Sequence, residues 1–248
     1  MKKTMTVCAM LAAIMLAGCR CPMKKICCGE QITYLKESMG VKPTLFADLG
    51  PTFSVPDGMA IDVNGNAVLA VPNYIDFEKH GAKIVTFDKD GKIIHTFTDL
   101  PAHPDTGKVH PMGIAFGPDG NLYVADNQCF SSMDAKSRIL RVNYRNGKPV
   151  SCDVVVEGTY VSNAVRWYGN HLYLTDSILK NLNEDGSMSG VFQFSLDELS
   201  SGNVIQADQN KYLITKYEGE AGGFGADGMD FDADGNMYVG LFSGGQFF

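Results

Sequence analysis

One local pattern recurs four times along this chain and constrains its fold more than any other feature. Asp57-Gly58-Met59-Ala60-Ile61 passes through Asn64-Gly65-Asn66 into Ala67–Val71. Met112-Gly113-Ile114-Ala115-Phe116 passes through Asp119-Gly120-Asn121 into Leu122–Ala125. Asn163-Ala164-Val165-Arg166-Trp167 passes through Gly169-Asn170 into His171–Thr175, and Asp227-Gly228-Met229-Asp230-Phe231 passes through Asp234-Gly235-Asn236 into Met237–Leu241. Each copy reads as a short apolar strand, a tight turn of Gly with Asn or Asp, and a second strand of alternating character. The copies are spaced by 55, 51 and 64 positions. Repeats of roughly 40–50 residues made of four short strands are the mark of β-propeller blades.

The intervening stretches supply the remaining strands. Lys83–Phe97 alternates around a Lys89-Asp90-Gly91 turn. Arg138–Asn143 turns at Arg145-Asn146-Gly147 into Pro149–Val156. Gly190–Phe194 runs through a polar turn to Asn203-Val204-Ile205. No helical apolar period competes over a comparable window, so the expected class is all-β. Complete blades are expected over 57–99, 112–158 and 163–208, with a fourth stopping after its second strand. Three and a half blades leave two open edges. The chain is therefore expected to be truncated at its C-terminus, the alternative being that partial blades pair between two chains. With 248 residues, 45% hydrophobic and 20% charged, the chain is long enough for one large all-β domain. Its net charge of −7 and lack of a basic stripe beyond the N-terminus exclude a nucleic-acid partner.

The N-terminus specifies export. Lys2 and Lys3 precede an apolar run, Met5–Met15, too short to span a bilayer, which takes about 20 residues. The run ends in Leu16-Ala17-Gly18-Cys19, which resembles a bacterial lipobox. The resemblance implies cleavage after residue 18, lipidation of Cys19 and a mature charge of −9. Multiple acyl chains give stable anchoring where one gives only marginal binding. Arg20 follows the Cys where inner-membrane retention usually shows Asp, which favours the outer membrane. The expected organisation is a signal peptide over 1–18, a lipidated tether over 19–43 and a propeller domain over 44–248. Cys21, Cys27 and Cys28 fall in the tether without zinc spacing. In the body, Cys129 and Cys152 either bond to each other or stand as separate thiols.

In a propeller the innermost strand of each blade lines a central channel, so residues at one phase of that strand converge although far apart in sequence. Asp57, Met112, Asn163 and Asp227 share that phase. Asp57, Asn163 and Asp227 are hard oxygen donors, a set suited to Ca²⁺, with Mg²⁺ or Zn²⁺ as alternatives. Ca²⁺ takes roughly 6–8 oxygens, so three protein ligands leave positions for water and substrate. Asp62–Asn66 and Asp232–Asn236 superficially suggest calcium loops, but lack the EF-hand spacing and read as hairpin turns. Tyr123, Tyr173 and Tyr238 recur at equivalent second-strand positions and read as blade packing before ligand stacking.

Ser162-Asn163-Ala164-Val165-Arg166-Trp167 and Ala226–Val239, followed by Ser243-Gly244-Gly245, resemble the gluconolactonase, senescence-marker-protein and luciferin-regenerating-enzyme family. The similarity covers roughly residues 45–248, patchily. It implies a propeller of six-bladed type with one divalent metal in the channel, held by Asp57, Asn163 and Asp227. It also implies that Asp227 is the general base or nucleophile while the metal polarises a lactone carbonyl. In the second blade the chain departs from the family: Lys108–Gly113 offers Pro111 or Met112 where an amide is usual, and no preceding Arg. His110 is the candidate substitute for substrate binding, set against the commoner role of a His before Pro at a strand entry, a packed or solvent-facing loop residue. His110–Asp126 also resembles an NHL-type repeat, a scaffold often used for binding. Two functions follow. One is a monomeric, metal-dependent hydrolase of sugar lactones or related esters, touching the membrane only through its lipid. The other is a non-catalytic, surface-anchored propeller that binds a glycan or a protein.

Overall fold

The computed structural model describes residues 44–179, 188–218 and 225–242. The signal peptide, Cys19, the tether and its three cysteines, and Ser243–Gly245 lie outside the described residues. The chain divides into two compact units, Met1–Gly50 and Pro51–Phe248. The second contains every strand that follows.

Its first sheet is an antiparallel meander of β1 (Met59–Ile61), β2 (Ala67–Val71), β3 (Lys83–Phe87) and β4 (Ile93–Phe97), hydrogen-bonded in sequence order. A helical turn, α1 (Phe77–His80), sits in the β2–β3 connection. The second sheet repeats the meander with β5 (Pro111–Phe116), β6 (Leu122–Asp126), β7 (Ser137–Arg145) and β8 (Lys148–Thr159). The third opens with β9 (Ser162–Tyr168), β10 (His171–Asp176) and β11 (Met188–Ser195). The fourth pairs β14 (Ala226–Phe231) with β15 (Met237–Leu241). Three complete four-stranded blades and half of another are thus present among the described residues, as the repeat predicts.

The third blade departs from expectation in its outer strand. Asn203–Ile205 was expected to complete it, but Ile205–Gln206 forms β12, which pairs in parallel with Val156–Glu157 of the second blade. The third blade is completed by β13 (Leu213–Glu218), which pairs with β11 from Met188 to Phe192. The local cause is helix capping. Ser195 and Glu198 form a reciprocal capping box at α2 (Leu196–Leu199), which ends β11 and directs the chain away from a tight hairpin. A second helical turn, α3 (Gln209–Tyr212), capped by the Asp208 side chain, returns it to the blade edge.

The hairpin turns follow their chemistry. Asp62 accepts hydrogen bonds from the Asn64 and Asn66 backbone amides at 2.8 Å each, with Gly65 at φ 81°. Asp232 does the same for Asp234 and Asn236, with Gly235 at φ 85°. These carboxylates are saturated by their own turns, as expected of turns rather than calcium loops.

Blades stack face to face, and the core lies between them. Val68, Ile84, Ile114, Val124 and Leu140 fill the space between the first and second sheets. Tyr123, Ile139, Val165, Leu174 and Phe192 fill that between the second and third, and Val191, Met229 and Val239 that between the third and fourth. The recurring tyrosines trace the stack. Tyr123 is fully buried and meets Trp167 of the next blade edge-on at 5.0 Å. Tyr173 lies 4.7 Å from Phe231, and Tyr238, on the fourth blade, is 53% exposed. Blade packing is the role of Tyr123 and Tyr173, whereas the Tyr238 hydroxyl donates to Asp232 at 3.0 Å. Cys129 and Cys152 are not joined by a disulfide, and the first is buried, so the bonded alternative does not hold.

Candidate functional site

The innermost strands are β1, β5, β9 and β14, each touching the next: β1 with β5, β5 with β9, β9 with β14. They approach at backbone distance. The Gly58 amide donates to the Met112 carbonyl at 3.2 Å, and a Cβ at Gly58 would fall 2.3 Å from that oxygen. A Cβ at Gly113 would fall 2.6 Å from the Asn163 carbonyl oxygen and from the Ala164 Cα. Only glycine fits there. The repeat therefore carries Gly one residue after Asp57 and Met112 because blades close on each other at these points.

Between the strands lies a cavity of about 190 Å³ lined by Asp57, Asn163, Arg166 and Asp227 with Gly58, Met59, Gly113, Ile114, Ala164, Gly228 and Met229. The three predicted ligands thus meet in one place. Met112, at the same phase in the second blade, is buried and absent from the lining, so that blade offers only Gly113 and Ile114. His110 is not in the lining either. It is buried, its Nε2 lies 3.2 Å from the Ser131 hydroxyl, and its ring packs edge-on to Phe77 and Phe130. The buried surroundings lower its pKa first of all and keep it neutral.

A second tier holds the donors in place. Near the end of the second strand in each of the first three blades sits an acceptor that grips the segment entering the first strand. Asn73 Oδ1 accepts from the Ser54 amide at 2.9 Å while its Nδ2 donates to the Thr52 and Gly81 carbonyls. Asp126 accepts from the His110 amide at 2.8 Å and is itself paired with buried Arg138, whose Nε lies 2.8 Å away. Asp176 accepts from the Tyr160 and Val161 amides at 2.7 and 2.6 Å. Asp227 is fixed from the neighbouring blade: Thr175 Oγ1 donates to its carbonyl at 2.6 Å and Ser177 Oγ donates to that of Ala226 at 2.6 Å. Asn163 Nδ2 reaches Ser177 Oγ at 3.4 Å, which leaves its amide oxygen for the cavity.

The electrostatics suit a cation. Crowding by the cavity walls, and then the charge of Asp227, raise the Asp57 carboxyl to about 6. Asp57 itself is solvent-exposed, and the Gly58 amide opposes the rise. Burial likewise raises Asp227, opposed by the Gly228 amide. Two like-charged carboxylates share a small cavity, and no hydrogen bond to either side chain from a cationic residue is present among the described residues. A divalent ion would relieve their repulsion, and an all-oxygen donor set fits Ca²⁺ or Mg²⁺ better than Zn²⁺.

Sequence reasoning missed Arg166, Thr175, Asp176 and Ser177. The last three form a polar run at a strand end, where the alternation gives no hint that they serve the next blade.

No protein-family profile and no curated protein matches the sequence. Solved structures do resemble it in fold. The PQQ-bound aldose sugar dehydrogenase of Streptomyces coelicolor is 16% identical with a TM-score of 0.46, matching 74% of this chain and 55% of its own. A luciferin-regenerating enzyme is 14% identical at 0.46, over 78% and 57%. A gluconolactonase from Xanthomonas campestris is 16% identical at 0.46, over 75% and 57%. The chain spans a little over half the length of these proteins. Their activities differ, and at these scores the likeness assigns none of them to this chain. The blade architecture rests on the strand order and stacking described above.

Proposed function

We propose that this protein is a metal-dependent hydrolase of sugar lactones or related esters, with its site in the channel between the inner strands. The observation that carries the reading is the meeting of Asp57, Asn163 and Asp227, three hard donors from three blades, in one cavity of about 190 Å³. Asp57, Asn163 and Asp227 would hold a divalent cation, Ca²⁺ before Mg²⁺ or Zn²⁺. A bound ion would polarise the lactone carbonyl. Asp227 takes the proton from the attacking water. The ring C–O bond then breaks, and the departing alkoxide takes up that proton. In the same proposal the protein is a monomer held on the outer membrane by lipidated Cys19.

The test is a calcium titration by calorimetry together with a panel of sugar lactones. One ion per chain is expected, with hydrolysis that chelator removes. Asp227→Ala should abolish turnover while leaving the melting temperature close to that of the metal-free parent. Turnover that survives this substitution refutes the mechanism.

A second reading, a non-catalytic binding propeller for a glycan or protein, is favoured by the second blade. Buried Met112 and the inward-packed His110 leave that wall of the cavity without a polar side chain. Retained glycan or protein binding in excess chelator, with no lactone hydrolysed, would select it.

A further inference from the structure

We propose that Arg166 makes this cavity a site for an anionic substrate, a lactone or ester that itself carries a carboxylate. The inference rests on the hydrolase reading and names its substrate class. Among the described residues Arg166 is the one cationic side chain lining the cavity, on the same strand as Asn163 and three residues beyond it.

Its guanidinium is fixed but not used up. Nη1 donates to the Ile114 carbonyl at 3.2 Å and to the Val165 carbonyl at 3.4 Å, which holds the group against the wall formed by β5 and β9. Nε stands 3.9 Å from an oxygen of Asp230, whose side chain is 78% exposed. That separation is beyond hydrogen-bond reach, and an exposed pair of this kind contributes little. Neither carbonyl bond uses Nη2. The arginine fork matches a carboxylate in a planar, bidentate way that a lysine does not reproduce.

The charge balance points the same way. Two ionised carboxylates and one guanidinium give the lining a net charge of −1, and a divalent cation turns it to +1. A neutral lactone does nothing to balance that charge, whereas a monoanion cancels it. The carboxylate would sit on Arg166 while the reacting carbonyl lies beside Asp227. If Arg166 were only a strut joining the walls, its loss would weaken folding and affect all substrates alike.

The experiment compares wild type, Arg166→Gln and Arg166→Lys on a neutral gluconolactone and on a glucarate lactone of the same ring size. Wild type should show a KM at least about tenfold lower for the glucarate lactone. Arg166→Gln should raise that KM about tenfold or more, with kcat and the neutral-lactone KM little changed, and Arg166→Lys should recover part of the loss. Equal KM values in wild type, or equal effects of Arg166→Gln on both lactones, overturn the proposal. Calorimetry with D-glucuronate and D-glucose, a monoanion and its neutral counterpart of the same ring size, at saturating Ca²⁺ gives a second readout that needs no turnover. Glucuronate should bind wild type about tenfold tighter than glucose, and Arg166→Gln should erase the difference. If no lactone is hydrolysed but this preference stands, the hydrolase reading fails and the anion site survives. If the preference is missing, the anion site fails whatever the activity.

Discussion

Asp57 carries a specific pH dependence. Its carboxyl is raised to about 6 by the crowded cavity and by Asp227, above its unfolded value. A carboxyl raised on folding binds its proton more tightly in the folded state. Its contribution to stability is therefore complete below the unfolded value, near 4, and is lost as pH rises through about 6. A divalent cation competes with that proton and offsets the loss. The melting temperature of the metal-free protein should fall between pH 4 and 7, calcium should restore it at pH 7.5, and calcium should have little effect at pH 5. Asp57→Asn should flatten the first trend and remove the calcium effect, which differential scanning calorimetry measures directly. Asp57, Asn163 and Asp227 were legible as a set because a propeller brings equal strand phases together. Arg166 was not, since an arginine inside an inner strand has the same sequence appearance whether it faces the channel or solvent. His110 was ambiguous for a related reason. A residue preceding Pro111 at a strand entry gives no alternation from which to read its direction, and here it packs against Phe77 and Phe130.

The blades are held by two devices, and each has a testable cost. The first is close approach of inner strands at Gly113, where even a methyl group meets the backbone of Asn163 and Ala164 at 2.6 Å. Backbone on both sides cannot swing aside as a flexible side chain would. Gly113→Ala should destabilise the domain by about 1–3 kcal/mol in urea unfolding and weaken calcium binding by displacing Asn163. The second device is the buried Asp126–Arg138 pair, in which Arg138 also donates to the Pro101 carbonyl at 2.8 Å. Arg138→Ala leaves Asp126 charged and unpaired in the interior, and a loss of about 3–5 kcal/mol is expected. The simple hairpins of the first and second blades were legible from turn chemistry and alternation. The edge of the third blade was not. Its strand choice depends on a capping box at Ser195 and on the parallel pairing of Ile205 with Val156, a contact between blades. Short apolar runs such as Asn203–Ile205 do not encode which sheet they will join.

Across the described blades, the interior is thickest where a blade has neighbours on both faces. The second sheet contributes to two of the core clusters, whereas β14 and β15 contribute to one, with Tyr238 and Phe242 about half exposed. Opening free energy follows such contact, so amide hydrogen exchange should be slowest in β6, β7 and β10 and fastest in β14 and β15. Uniform protection across all four sheets would show that stability is not graded along the stack. Stack order was legible from the repeat, while this gradient follows from the face-to-face packing. The grips at Asn73, Asp126 and Asp176 have a further consequence. They fasten the backbone leading to Asp57, Met112 and Asn163 without using the side chains at those positions. Folding and chemistry are thus written in separate letters. Blades can differ in the residue at that phase, as the second does with buried Met112, and keep the same frame. The channel behaves like a fixed mount with interchangeable fittings, so new specificities can arise in it by single substitutions that leave the architecture untouched.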